Sequence, residues 1–325
     1  MNTYQIKTPV ALIIFKRPDT TAKVLAAIRE AKPPKLFVIA DGPRIDRPDE
    51  IEKCAAARAI IEQIDWDCEI IKNYSDANLG CAKRVSSGID WVFSHVEEAI
   101  ILEDDCVPHP SFFRFCEELL ERYRYDTRIA AICGDNSFVG SQRTNYSYYF
   151  SRYNPCWGWA SWRRAWQNYD LYMRLWPEIR SQGFLKDILK DDLAVKYWDN
   201  LLEAIYKNPL GITWDYQWTF ACWLHNCVSI VANVNLISNI GFGIDSTHFT
   251  DEKSSLYENL PTTEIQFPLK HPPFVIPDYQ ADKFKEKYDY QITYKRQLKA
   301  DLKNLLQTIK RQIMNWKMIF AFHNG

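Results

Sequence analysis

Over the first third of the chain, short unbroken apolar runs alternate with longer amphipathic stretches. Residues 9–15 (PVALIIF) are apolar throughout, the pattern of a strand covered on both faces. Residues 19–30 follow with Val24, Leu25 and Ile28 on one helical face and Asp19 placed to cap it. A second strand, 35–40 (KLFVIA), stops at Asp41-Gly42-Pro43, a turn signal. Residues 50–63 read as helix, 68–73 as a third strand, 80–95 as helix and 99–102 as a fourth strand. Strand and helix in alternation, joined by short links, predict an α/β domain on a doubly wound, mainly parallel sheet flanked by helices.

Further along, Pro110 suits a first helical position, and Phe112, Phe115, Cys116, Leu119, Leu120 and Tyr123 form one stripe behind it. Residues 129–133 and 148–150 read as strands, and NPCWGWASWRRAW (154–166) as a glycine-containing loop entering a helix. Trp159, Trp162 and Trp166 recur there at helical spacing, which favours core packing. Residues 184–207 read as one helix, 228–234 as a strand, and NIGFGIDSTHF (239–249) as a loop punctuated by glycine. The expected organisation is one domain in two halves, 1–105 and 106–250. An irregular wrapping segment over 251–290 and a basic amphipathic helix over 291–325 complete it.

In such sheets ligands bind beyond the carboxyl ends of the strands. That edge collects Lys16-Arg17, Asp41-Gly42 and the acidic triplet Glu103-Asp104-Asp105, which directly follows the apolar run AIIL. Two carboxylates about 4 Å apart repel by roughly 4 kcal/mol at an effective dielectric of about 20. If the strand continues, Glu103 and Asp105 share one side and Asp104 takes the other. Mg²⁺ or Mn²⁺ would offset the repulsion, with diphosphate oxygens completing the shell. The alternative is that one acid caps the turn and the others are solvated. No glycine-rich phosphate loop follows the first strand, so neither dinucleotide-fold nor P-loop binding is supported.

Arg17 could meet a phosphate or a base, and Asp41 could accept from a base or ribose. Within NLGCAKRVSSGI (78–89), Lys83 and Arg84 could reach an anion or simply face solvent. Asp215 lies in WDYQW (214–218); a carboxylate partly desolvated among aromatics is a better base, although it could equally cap a helix. His248, in STHF, could serve as a metal ligand or be structural.

The formal charge of −1 conceals an asymmetry. Residues 291–325 carry Lys295, Arg296, Lys299, Lys303, Lys310, Arg311 and Lys317 against a single acid, Asp301, and the acidic remainder argues against nucleic-acid binding. Leu298, Leu302, Leu305, Leu306, Ile309, Ile313 and Trp316 share a face of that tail, which suits an anionic membrane surface, a partner or the protein's own body. Nine scattered cysteines without a CxxC pair suit a reducing compartment. With no signal-like start and no long apolar run, the expected location is cytoplasmic, with peripheral contact at the inner face of the plasma membrane through 291–325.

Taken in order, AIILEDDCVPHPSFFRF, Arg17, Asp41-Gly42, NLG, NPCWGWASWRRAW, WDYQW and STHF resemble GT-A glycosyltransferases related to N-acetylglucosaminyltransferase I, and bacterial sugar transferases of the family-two type. The resemblance spans about residues 8–250 and implies a nucleotide-sugar-binding half over 1–105 and an acceptor-binding half over 106–250 of the same catalytic domain. It implies a metal-dependent inverting transferase of hexosyl or N-acetylhexosaminyl type, acting in polysaccharide assembly. The sugar, GlcNAc-like as one candidate, would pass from a nucleotide diphosphate, UDP favoured, to a glycan or lipid-linked acceptor. Asp105 would bind Mn²⁺ or Mg²⁺, with His248 as a further ligand. Glu103 and Asp104 would contact sugar or ribose, Asp41 the base, and Arg17, Gly42 and Arg84 the nucleotide, with Asp215 as the base. WDYQW holds one acid only, so nothing beside Asp215 could replace it. The alternatives are a nucleotidyltransferase making sugar nucleotides and a non-catalytic carbohydrate-binding or scaffold protein.

Overall fold

The computed structural model describes residues 4–138, 142–211, 213–242 and 258–298. His248 and the tail from 299 onward, with most of the amphipathic helix expected there, lie outside the described residues. Among the described residues no helix is long and apolar enough to cross a membrane.

The chain opens with β1 (Val10–Ile14), α1 (Pro18–Ala31), β2 (Lys35–Ala40), α2 (Asp49–Ile60), β3 (Glu69–Tyr74), α3 (Cys81–His95) and β4 (Glu98–Glu103). Next come β5 (Cys106–Pro108), α4 (Pro110–Arg122), β6 (Ile129–Cys133), β7 (Tyr148–Ser151), β8 (Trp159–Trp162) and α5 (Arg163–Trp166). The last elements are α6 (Trp176–Gln182), α7 (Leu185–Leu189), α8 (Asp192–Lys207), α9 (Asp215–Leu224), β9 (Val228–Ala232), β10 (Ile237–Asn239) and α10 (Tyr279–Tyr288).

Two compact units are formed, Met1–Arg174 with Ile205–Asp282, and Leu175–Ala204 with Lys283–Gly325. The first holds an eight-stranded sheet in the order β3-β2-β1-β4-β8-β6-β9-β7. β1 pairs in parallel with β2 and β4, β2 with β3, and β6 with β9. β8 runs against β4 and β6, and β7 against β9, so the sheet is mainly parallel, as expected. On one face Val24, Leu25 and Ile28 of α1 and Phe112, Phe115 and Leu119 of α4 cover Leu12, Leu102 and Ile132. On the other, Val85, Ile89 and Val92 of α3 and Trp218 of α9 cover Ile13, Phe37 and Ile101. Alternate residues of the same strand thus feed two cores, which is why these strands are apolar at every position.

In the second unit, Trp176 Nε1 donates to Glu203 and Arg180 pairs with Asp199, while the buried Trp198 meets Tyr290 edge to face.

Local departures from the sequence pattern have physical causes. Helix α1 starts at Pro18, whose fixed φ suits that position, so Asp19 lies inside the first turn and does not cap it. Within the tryptophan-rich stretch a strand, β8, precedes a single helical turn. Trp159 therefore faces the α3/α9 core and Trp162 the α1/α4 core, and both are buried. The helix expected over 184–207 is two, parted at Lys190, which takes a left-handed φ of 57°.

Candidate active site

Strands β1 and β4 are neighbours, with Ile13 opposite Glu103, so the residues after each emerge side by side. Glu103 closes β4, the chain turns at Asp104-Asp105, and it leaves as β5. That turn ends the strand alternation. Asp104 and Asp105 do not point apart; both meet Arg17, whose Nη2 donates to Asp105 Oδ2 at 2.9 Å and to Asp104 Oδ1. The Phe15 amide donates to the other Asp104 oxygen at 3.1 Å. The repulsion within the triplet is therefore answered in part by the chain itself, with one guanidinium set against three carboxylates.

The ionisations reflect this balance. Burial pushes Glu103 up to about 8, with the charges of Asp105 and Asp104 adding to it. Burial likewise pushes Asp104 up to about 6, against the pull of Arg17. Burial opposes the charge on Arg17, but Asp104 and Asp105 outweigh it and hold its pKa above the ordinary value.

A second segment crosses this cluster. β10 pairs antiparallel with β5, Asn239 opposite Cys106, and the Ile240 amide donates to the Asp105 carbonyl at 2.9 Å. Gly241 then passes over the carboxylates. A Cβ there would stand 2.0 Å from Asp105 Oδ2 and 2.8 Å from Arg17 Nη1, so a larger residue would push those side chains aside. Asn239 Oδ1 accepts from the Gly241 amide at 2.8 Å and fixes the crossing.

At the β2 end, Asp41 is a clasp. Its Oδ1 accepts from the amides of Gly42 and Leu79 at 2.9 Å each. Its Oδ2 accepts from the Gly80 amide at 3.1 Å and Asn78 Nδ2 at 3.0 Å. Burial raises the Asp41 pKa while those amides pull it back. Gly42 permits the close approach, since a Cβ would lie 2.6 Å from the Ala77 carbonyl carbon. Arg84 turns inward from the first turn of α3 and is buried; its Nε donates to the Ala40 carbonyl at 3.1 Å and its Nη2 to Asn73. It holds the ends of β2 and β3 together, a role its spacing did not show. Beside the clasp, Glu50 receives Lys16 Nζ at 2.7 Å and the Arg44 guanidinium.

Asp215 opens α9, and Thr213 donates its hydroxyl to Asp215 Oδ1. Trp214 stacks on Trp159 with centroids 5.6 Å apart, which locks the start of the helix to the sheet. Burial pushes Asp215 up to about 6, against its own amide and that of Tyr216. Its charge also raises Glu103. Cys81, first residue of α3, reports the convergence: after burial, its thiol is pushed up by Glu103, Asp215, Asp41 and Asp105. Four carboxylates from three separate segments, the end of β2, the acidic turn and the start of α9, thus lie within electrostatic reach of Cys81.

Among the described residues no group of three or more His, Cys, Asp or Glu is gathered for a metal. Magnesium and manganese are held by one or two carboxylates plus substrate phosphates, so such a group is not required. Asp105 keeps Oδ1 facing only the weak Cys106 thiol at 3.4 Å, and Glu103 stands two residues away, so the donor set suits a hard cation. Gly241, Glu50 and the inward course of Arg84 escaped the sequence pattern. The glycines of NIGFG were the one signal present.

No protein-family profile matches the chain, and no curated protein matches its sequence. Solved structures do match. One is mouse xyloside xylosyltransferase 1 in its apo form, 11% identical, covering 66% of this chain and 81% of that one with a TM-score of 0.31. That overlap is too low to carry either fold or activity across.

Proposed function

We propose that this acidic site transfers a sugar, with inversion, from a nucleotide diphosphate to a hydroxyl of a glycan or lipid-linked acceptor. The observation that carries this reading is the approach of Asp215 to the acidic turn: Trp214 beside it stacks on Trp159, which pairs with Ile101 two residues before Glu103, and burial raises its pKa.

On this reading the nucleotide lies on the loop clasped by Asp41, with Gly42 allowing the approach and Arg84 bracing the strands behind. Asp41 acts on the base through the loop it fixes, since each of its oxygens already accepts two hydrogen bonds. Arg17 faces the diphosphate and Asp104 orients Arg17. Glu103 contacts the transferred sugar. Asp105 would hold Mn²⁺ or Mg²⁺, with His248 as the further ligand the sequence offers; when bound, the cation neutralises charge on the departing diphosphate. Asp215 accepts the proton of the acceptor hydroxyl as its oxygen attacks the anomeric carbon from the face opposite the leaving group. The bond from that carbon to the diphosphate oxygen breaks, and the electron pair leaves with the diphosphate.

Asp215→Asn keeps the shape of the side chain and removes the base. Turnover of a nucleotide-sugar donor should fall by about 10²–10⁴-fold, while calorimetric affinity for the nucleotide stays within about twofold of wild type. Undiminished turnover would remove Asp215 from the mechanism.

A further inference from the structure

Trp157 and Phe242 come from different segments and meet edge to face, with ring centroids 6.0 Å apart and planes at 87°. Both are half-buried, so each offers surface as well as packing. Their backbones fix where that surface lies. Phe242 follows Gly241, where an added Cβ would stand 2.0 Å from Asp105 Oδ2 and whose carbonyl accepts from Arg17 Nη1 at 3.5 Å. Trp157 precedes Gly158, where φ is 66° and a Cβ would come within 3.3 Å of Leu102, the residue before Glu103. The aromatic pair therefore stands beside the acidic turn. In the strand order β3-β2-β1-β4-β8, the Asp41 clasp lies at the β2–β3 side and Trp157 leads into β8, beyond β4. The acidic turn separates the two.

We infer that Trp157 and Phe242 form an aromatic subsite for a pyranose ring of the acceptor. The C–H bonds on one face of a pyranose carry partial positive charge and pack against the negative face of an aromatic ring, while its hydroxyls need acceptors close by. Aromatic faces next to a cluster of carboxylates supply both. A nucleobase would also stack, but the clasp that suits a base lies at the other side of the turn. Cys156, next to Trp157, supports the placement: beyond burial, its thiol is pushed up by Asp215 and Glu103, the two groups between which the reacting hydroxyl would sit.

This inference rests on the transferase reading, and the test separates the two. Saturation-transfer NMR would be run on the full chain with methyl glycosides of glucose, N-acetylglucosamine, galactose and mannose, with and without UDP and Mn²⁺. UDP affinity would be measured by calorimetry on the same samples. The wild type should show saturation on the C–H protons of one ring face of at least one glycoside. Trp157→Ala should weaken that glycoside about tenfold or more, Trp157→Phe should restore most of the affinity, and Phe242→Leu should weaken it without altering UDP affinity. Thermal midpoints near wild type would show that the variants fold, and Trp157→Phe serves as the folded comparison if Trp157→Ala does not. Glycoside affinity unchanged in Trp157→Ala and Phe242→Leu, or no glycoside bound by the wild type, would overturn the subsite even with UDP bound. Glycoside binding lost in the variants while UDP fails to bind would uphold the subsite and remove the donor reading.

Discussion

Asp215 ionises near 6 because α9 starts half-buried among tryptophans, whereas a free aspartate ionises near 3.9. In the proposed role of base it must be deprotonated, so activity should fall as pH drops through that value. The acid limb of the kcat/KM profile should have an apparent pKa near 6, with about tenfold loss for each further pH unit below it. A limb near 4 would mean that Asp215 stays solvated during turnover. The acids of this site were legible as residues: a triplet behind an apolar run and an acid flanked by tryptophans are local patterns. Their partners were not. Arg17 bridging Asp104 and Asp105, or Gly241 lying on Asp105, depends on segments brought together only by the sheet. The charge balance also shifted with the structure, because Arg17 neutralises acids that the sequence alone left to a cation.

Among the elements, α3 shows how one side chain can set a surface. Gly80, at φ 77°, stands just before the helix, and Asp41 from the end of β2 takes the amides of Leu79 and Gly80 that would otherwise be without partners. Asp41→Ala should leave those donors unmatched at a cost of about 1–3 kcal/mol. Amide exchange at Leu79 and Gly80 should accelerate selectively, and exchange at those sites equal to wild type would show that the loop holds without the clasp. The inner strands β1 and β4 were readable from unbroken apolar runs, which a doubly covered sheet demands, whereas the edge strand β3 carries Glu69, Lys72 and Asn73. β8 was hidden: it is four residues long, preceded by Gly158 and followed by a helical turn, and its tryptophans fit helical and strand spacing alike. The division of the 184–207 stretch at Lys190 was equally silent, since nothing in the residue type announces a left-handed φ.

The first unit carries an acidic cluster at the carboxyl edge of its sheet, with Arg17 paired to two of its acids and a basic tail elsewhere in the sequence. A diphosphate entering beside Glu103, Asp104, Asp105 and Asp215 meets more negative charge than Arg17 can offset, so binding should depend on an added cation. The most direct measurement is a thermal-shift panel of UDP, GDP, ADP, CDP and dTDP, each with and without Mn²⁺, on the wild type and Asp105→Asn. A stabilising shift is expected for one nucleotide, present with Mn²⁺ and lost without it, and absent in Asp105→Asn while the variant alone melts within a few degrees of wild type. No shift with any nucleotide, or a shift of equal size in Asp105→Asn, would contradict a nucleotide-diphosphate site at the acidic turn.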